Sequence, residues 1–365
     1  MKVAIVCDWL TNVGGAEKVL LAIHEMYPDA PIYTSQYNPK GIDWFKDADV
    51  RTGFLQHFPS KMRRLIPMLR QDYFNNLDLS DYDLVISVTG AEAKSIKCGL
   101  KTTHICYCHV PTQYYWQMYD DYVQNPGFGI LNPVVRFFFK KLVKPLKQAD
   151  FAAAQKPDYF VTISSYAASM IKKYYHRDAT IIAPPVDTDK FYVVKNTTRE
   201  GFINFSRQVS WKRQDIAIRA CIKAGKKLTV IGEGPEHDNL VRAANGSDLI
   251  KFLPFMSTED LAKELSKAEA FIFPSMEPFG IAPVEALAAG CPVIAYAEGG
   301  AKDYIVSGKN GLLFERQNTD SLAKALKDFK KLKLDQKYIT KSAQDFDVVN
   351  FKKKLKKFID EKVTK

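Results

Sequence analysis

Two glutamates stand with seven residues between them in the stretch Phe273-Pro274-Ser275-Met276-Glu277-Pro278-Phe279-Gly280-Ile281-Ala282-Pro283-Val284-Glu285. A helix that opens near Ala282, with Pro283 in its first turn, leaves unpaired amides around Gly280 to Ala282, and such amides attract an anion. Carboxylates on either side of an anion site suit a ligand that is both charged and rich in hydroxyls. A second group supports this reading. Arg207 and Lys212, five residues apart after Phe202-Ile203-Asn204-Phe205, can converge on a diphosphate, arginine as a fork and lysine as a point charge. A third is His109, directly after Thr103-His104-Ile105-Cys106-Tyr107-Cys108, where a strand would deliver it to the ligand side of a sheet.

The elements that must position these groups read as buried parallel strands. Short apolar runs at Val3–Val6, Leu84–Val88, Leu228–Ile231 and Ala270–Phe273 each end in a loop of Gly, Ser, Thr or Pro. Gly14-Gly15 opens a helix with Val19, Leu20 and Ile23 on one face. It lacks the third glycine of a dinucleotide fingerprint. Gly232-Glu233-Gly234-Pro235 forms another strand-to-helix turn. Pro184-Pro185 cannot continue a sheet interior or a helix and marks a linker, after which a new strand begins at Phe202. At 365 residues the chain has room for two or three domains. Phe351, Leu355, Phe358 and Ile359 give the lysine-rich end the spacing of an amphipathic helix that docks one face.

With the acids separated by Phe279-Gly280 and Pro283, and followed by Ala288-Ala289-Gly290-Cys291-Pro292-Val293-Ile294, the central stretch resembles the signature of retaining GT-B glycosyltransferases of family 4. The resemblance implies an α/β fold with GT-B architecture, two Rossmann-like domains facing each other across a cleft. It places an acceptor-binding domain at 1–186, a nucleotide-sugar-binding domain at 187–350, and a helix at 351–365 that crosses back to the first domain. It assigns Glu285 to the ribose hydroxyls, Glu277 to the donor sugar, and Arg207 and Lys212 to the donor diphosphate. Gly15, Gly232, Phe279, Gly280 and Ile281 join them in holding the donor. The His109-Val110-Pro111 segment is similar to that of a mannosyltransferase-like subgroup involved in polysaccharide biosynthesis, in which the histidine lies against the donor sugar. Those relatives often carry arginine four residues on, where this chain has Gln113.

The chemistry implied is transfer of a hexose, with mannose and hence GDP-mannose favoured over a UDP-sugar, to a saccharide or a polyprenyl-diphosphate-linked acceptor. The mechanism expected is front-face and metal-independent, with no cofactor. Arg207, Lys212 and the helix-terminal amides would stabilise the departing diphosphate, and the four Asp-x-Asp pairs at 47, 81, 187 and 345 lie away from the phosphate region. Glu277 and Glu285 do not suit the paired carboxylates of a retaining glycosidase, because helix geometry sets Glu285 beside the anion site. A sugar-nucleotide epimerase of the same fold, a catalytically dead partner subunit and a basic nucleic-acid-binding protein are the competing classes. No nucleic-acid module is readable, so nucleic acid is not an expected partner.

A net charge of +11 points to anionic partners. Part of it lies in Lys61–Arg70 and in Asn132–Lys144. The latter reads as a helix opened by Pro133 and limited by Pro145, with Arg136, Lys140 and Lys144 on one face and Val134, Phe138 and Leu142 on another. A basic amphipathic helix of this kind lies on an anionic bilayer or packs its aromatic face in the core. No run of about 18 apolar residues occurs, the opening run is too short for a signal peptide, and the six cysteines form neither zinc nor disulfide spacing. A cytoplasmic chain with reduced thiols is expected, with peripheral attachment to the inner face of the cell membrane as its extension.

Overall fold

The computed structural model describes residues 1–59, 62, 66–124, 129, 132–194 and 198–363. Of the basic stretch Lys61–Arg70, Lys61, Arg63, Arg64 and Leu65 lie outside the described residues. The chain divides into two compact units, Met1–Pro184 with Lys352–Lys365, and Pro185–Phe351.

Unit 1 contains β1 (Val3–Cys7), β2 (Ile32–Thr34), β3 (Val50–Thr52), β4 (Leu84–Thr89), β5 (Thr103–Cys108), β6 (Tyr159–Thr162) and β7 (Thr180–Ile181), with helices α1 (Gly15–His24), α2 (Pro67–Asn76), α3 (Tyr119–Gln124), α4 (Asn132–Ala153) and α5 (Ser165–Tyr175). The strands form one sheet in the order β3-β2-β1-β4-β5-β6-β7, and the pairings are parallel. β1 and β4 are buried along their whole length, which is why they read as unbroken apolar runs rather than alternating ones. The strand order reverses between β1 and β4, and ligands of doubly wound sheets sit outside the carboxyl ends at such a point.

Unit 2 repeats the plan. Its strands β8 (Phe202–Phe205), β9 (Leu228–Ile231), β10 (Ile250–Leu253), β11 (Ala270–Phe273), β12 (Val293–Tyr296) and β13 (Gly311–Phe314) are ordered β10-β9-β8-β11-β12-β13 with parallel pairing. Between them run α6 (Gln214–Ala224), α7 (His237–Ala244), α8 (Thr258–Lys267) and α9 (Ile281–Ala288), followed by α10 (Thr319–Phe329) and α11 (Gln336–Gln344). Local signals set the helix ends. Ser257 Oγ accepts from Asp260 N at 3.1 Å to start α8, Asn318 does the same for Ser321 at 2.9 Å to start α10, and Gly225 ends α6 in the left-handed conformation. The core between helices and sheet includes Ile216, Ala220, Leu228, Ile272, Leu322 and Leu326. Here the order reverses between β8 and β11, the two strands that deliver Arg207 and Glu277.

The last helix, α12 (Val348–Val363), contributes its final turns to unit 1. Leu355 and Ile359 are fully buried, Lys352 pairs with Glu25 at 2.6 Å, and Lys362 lies 5.0 Å from the Tyr159 ring centroid. The lysine-rich end is thus anchored by its apolar stripe.

α4 departs from the sequence expectation. It does not stop at Pro145 but continues to Ala153, because Leu146, Asp150 and Ala153 are buried beyond the proline and their packing outweighs the lost backbone bond. Val134, Phe137 and Phe138 are more than half exposed, and Val143 and Leu146 face the core instead. Arg136 spends its guanidinium on the carbonyls of Val123 (2.7 Å) and Gln124 (2.8 Å).

Candidate active site

In unit 2 the switch point gathers most of the residues that the sequence singled out. β8 runs out into Ser206-Arg207-Gln208, where Arg207 is exposed, and a short turn at Ser210–Lys212 brings Lys212 back. β11 runs out into Pro274–Gly280. There Glu277 Oε1 accepts from Lys212 Nζ at 2.6 Å and from Ser275 Oγ at 2.8 Å, with about a fifth of each charged side chain exposed. Lys212 and Glu277 therefore meet, although 65 residues separate them in the chain.

α9 begins at Ile281 behind Gly280, and no side chain caps it. Gly280 has φ +88°, and a Cβ there would stand 2.7 Å from the Phe273 ring and 3.0 Å from the Tyr304 hydroxyl. That hydroxyl donates toward the carbonyls of Phe279 (2.8 Å) and Gly280 (3.1 Å). Phe279 is buried against Tyr304 and Phe346, so it acts on the loop as a packing anchor. Glu285 lies one turn into α9 and is half-buried.

Three features of unit 2 were missed from sequence. The pair Gly299-Gly300 after β12 backs directly onto the Glu277 loop. Gly300 N donates to Glu277 O at 2.8 Å, and Cβ atoms at the two positions would fall 2.3 Å from the carbonyl oxygens of Glu277 and Pro278 respectively. Gln208 is fully buried and ties the Arg207 loop to the Gly232 turn, donating to Gly232 O at 2.8 Å and accepting from His237 Nδ1 at 2.8 Å. Tyr304 is the third. Only the adjacent glycines carried a readable signal.

In unit 1, Gly15 is the first residue of α1 behind an extended Gly14. His109 follows β5, and its amide donates to Thr89 O at 2.9 Å. Its ring packs edge-on against Tyr107, and burial pushes its pKa down to about 4, so the imidazole is neutral at physiological pH. Its Nε2 is buried and finds no partner among the described residues.

Buried charge holds the surrounding loops in place. Asp8, just after β1, accepts from Thr89 Oγ1 at 2.9 Å and from the amides of Gly90 (2.9 Å), Ala91 (3.1 Å) and Ala93 (2.8 Å). Burial, aided by Glu92, still raises its pKa against the amides of Ala93 and Gly90. Arg70 clamps Glu92 with two 2.9 Å bonds, and Tyr114 adds a third at 2.9 Å. Lys94 meets Asp150 at 2.6 Å with 1% of either side chain exposed, and also bonds the Ala91 carbonyl. Asp150 further accepts from Thr112, Trp116 and Tyr175. Burial lowers the Lys94 pKa, but Asp150 more than reverses this and keeps the ammonium charged. Arg70, read from sequence as part of a basic surface stretch, is thus an internal ion-pair partner and faces no membrane. Among the described residues no three His, Cys, Asp or Glu side chains converge as a metal site would require.

Two parallel, doubly wound units with these switch points define the GT-B fold, and the solved structures that the chain is similar to agree. An apo lipopolysaccharide outer core galactosyltransferase, WaaB, superposes with a TM-score of 0.72 at 17% identity, covering 99% of this chain and 100% of that one. Alr3699/HepE of Anabaena in complex with UDP gives 0.68 at 18% identity, covering 99% and 100%. At the level of sequence, residues 186–346 match the family described as Glycosyl transferases group 1. The chain is 28% identical over 192 residues to the uncharacterized glycosyltransferase YqgM of Bacillus subtilis, covering 48% of this chain and 54% of that protein. It is 27% identical over 200 residues to a GDP-mannose-dependent α-(1-6)-phosphatidylinositol monomannoside mannosyltransferase of Mycolicibacterium smegmatis, covering 47% and 52%. The chain thus spans about half the length of the curated relatives it matches.

Proposed function

We propose that this protein is a retaining glycosyltransferase that moves a hexose, with mannose favoured, from a nucleotide-sugar donor to a glycan or lipid-linked saccharide. The observation that carries the reading is the Glu277–Lys212 contact at the β8/β11 switch point, in front of the uncapped amino end of α9 and beside the exposed Arg207. Arg207, Lys212 and the α9 amides bind the diphosphate and stabilise the charge that builds as it leaves. Glu285 takes the ribose hydroxyls and Glu277 the hydroxyls of the sugar, while Gly232 lets the backbone approach the phosphates. The acceptor hydroxyl attacks from the leaving-group side and passes its proton to the departing diphosphate. His109, neutral and with Nε2 unpartnered among the described residues, offers a hydrogen bond to a saccharide hydroxyl.

In this reading residues 187–350 hold the donor, 1–186 receive the acceptor, and 351–365 return to the first unit. GDP-mannose is supported by the mycobacterial relatives, which are named for it; the Anabaena structure, which holds UDP, supports the alternative. A lipid-held acceptor is supported by α4, whose exposed Val134, Phe137 and Phe138 lie among Lys140, Lys141 and Lys144, the pattern of a helix on an anionic bilayer face. Among the described residues no helix is long and apolar enough to cross a membrane.

Thermal shift against GDP, UDP and ADP identifies the base, and radiolabelled transfer from the matching sugar nucleotide reads the chemistry. Glu277→Gln is expected to cut turnover by about 100-fold or more while nucleoside-diphosphate affinity falls only modestly. If Glu277→Gln and Arg207→Ala both retained wild-type transfer, the assignment would be lost.

A further inference from the structure

The loop 277–280 of unit 2 is held from behind by a second loop. β12 runs out into the turn Gly299–Asp303, and Tyr304 follows directly. This strap grips the 277–280 loop at both ends. At one end Gly300 N donates to Glu277 O, and at the other the Tyr304 hydroxyl lies 2.8 Å from Phe279 O and 3.1 Å from Gly280 O. A phenol has one proton, so the two carbonyls share it. Burial, with Glu277 and Asp303 adding to it, pushes the Tyr304 pKa well above the ordinary tyrosine range, and the hydroxyl therefore stays a donor at physiological pH.

Fixing a carbonyl also fixes an amide. In a trans peptide the C=O of one residue and the N–H of the next point in opposite directions, and among the described residues there is no cis peptide. With Phe279 O and Gly280 O both drawn to one hydroxyl, the N–H groups of Gly280 and Ile281 point away from it. Gly280, at φ +88°, lets the two consecutive carbonyls reach the same atom. Successive amides turned to one side form the concave arrangement that takes an anion. Among the described residues neither of these amides donates to a backbone carbonyl.

The hydroxyl is itself held from two directions. Its ring packs against Phe279 and Phe346, with centroids 5.3 Å and 5.6 Å away. Its main chain is tied to the fully buried Asn310, whose Nδ2 donates to Tyr304 O at 2.8 Å while its Oδ1 accepts from Val306 N at 2.7 Å. A hydroxyl on a ring packed and tethered in this way keeps its place, and the loop conforms to it.

We propose that Tyr304 is a positioning residue for donor binding: through its hydroxyl it aims the Gly280 and Ile281 amides at the diphosphate, while Gly300 holds the Glu277 end of the same loop. Only 5% exposed, it acts through the loop. The inference rests on the donor site proposed above, whose cations and carboxylates it leaves as assigned.

Two variants separate the hydroxyl from the ring. Tyr304→Phe removes the first and keeps the second, and Phe346→Leu disturbs the packing and keeps the hydroxyl. The full chain and both variants are titrated calorimetrically with the nucleoside diphosphate that the wild type binds most tightly and with the matching nucleoside, which has no phosphate, and each is unfolded in urea. Tyr304→Phe is expected to weaken diphosphate binding about 10-fold and to leave nucleoside binding within about 2-fold of wild type. Phe346→Leu is expected to lower the urea midpoint and to leave both affinities within about 2-fold. Unaltered nucleoside-diphosphate affinity in Tyr304→Phe overturns the proposal. So does an equal loss of nucleoside binding in that variant, or an equal loss of diphosphate affinity in Phe346→Leu, since either makes Tyr304 a packing residue only. If the wild type binds none of GDP, UDP and ADP, the donor site falls and this inference with it; if the wild type binds one of them and Tyr304→Phe binds it equally well, the inference alone falls.

Discussion

Unit 1 fixes the loops at the carboxyl ends of its strands with buried charge, whereas unit 2 fixes the corresponding loops with glycines, a tyrosine hydroxyl and helix ends. Around His109 the cations Arg70 and Lys94 are consumed by Glu92 and Asp150, in pairs only 1–4% exposed. Around Glu277 the cations are Arg207, which is exposed, and Lys212, which is about a fifth exposed and meets Glu277 at 2.6 Å, so Arg207 carries the contrast. A cation consumed inside the protein cannot neutralise a ligand, and one left at the surface adds little to stability. On the proposed function, diphosphate binding falls to unit 2 and the charges of unit 1 serve as scaffold, and each prediction below sets the two against each other.

The largest expected effect is on stability in unit 1. Lys94→Met leaves Asp150 buried without a cation, and breaking such a pair costs about 3–5 kcal/mol. Urea unfolding should show that loss, while the affinity of the remaining folded protein for nucleoside diphosphate stays at the wild-type level. A loss of nucleotide affinity without a loss of stability would reverse the roles given to the two sets of cations.

Next in size is a pH effect, also confined to unit 1. His104 is buried on β5 with Nε2 2.8 Å from Ser87 Oγ, and burial, with help from Lys156 and Arg177, lowers its pKa to about 3. The unfolded chain takes up this proton near pH 6.5 and the folded chain does not. The contribution is therefore complete above pH 6.5 and is lost as pH falls from there toward 3, by a few kcal/mol. His109 adds a slope of the same sign between pH 6.5 and 4. His104→Gln should flatten the acid limb of a plot of unfolding free energy against pH. An unchanged slope would remove His104 from the account.

How much of this was legible in the sequence follows from chain distance. Strands β1, β4, β9 and β11 announced themselves as apolar runs because parallel strands are buried on both faces. Arg207, Lys212, Glu277 and Gly280 were readable because each falls in a short loop directly after such a run. Asp8 was not, since the amide of Ala93 that it holds is 85 residues away, and Lys94 and Asp150 are 56 apart. A single charged residue beside a strand or inside a helix carries no periodic signal of its partner. In α4 the proline rule misled, because Pro145 sits in a helix that packs on both sides of it, and of the two placements open to its apolar face Val134 and Phe138 take the exposed one, while Val143 and Leu146 are buried.

The comparison is sharpest at two positions of unit 2 where stability and binding should separate. Gly300→Ala puts a Cβ 2.3 Å from the Pro278 carbonyl and 2.5 Å from Phe279 Cα, which forces backbone to move. Overpacking of this kind costs about 1–3 kcal/mol, and because the loop it displaces carries Glu277, sugar transfer should fall with it. Arg207→Ala should have the smallest effect on folding, within about 0.5 kcal/mol, because the side chain is exposed. It should nonetheless weaken nucleoside-diphosphate binding more than Lys94→Met does, since a charge-assisted fork to phosphate is lost rather than an internal pair. Calorimetric titration of the two variants beside their unfolding curves reads both quantities. If Arg207→Ala lost stability and kept its ligand, the open cation of unit 2 would be scaffold like those of unit 1, and the contrast between the units would no longer point to where the diphosphate binds.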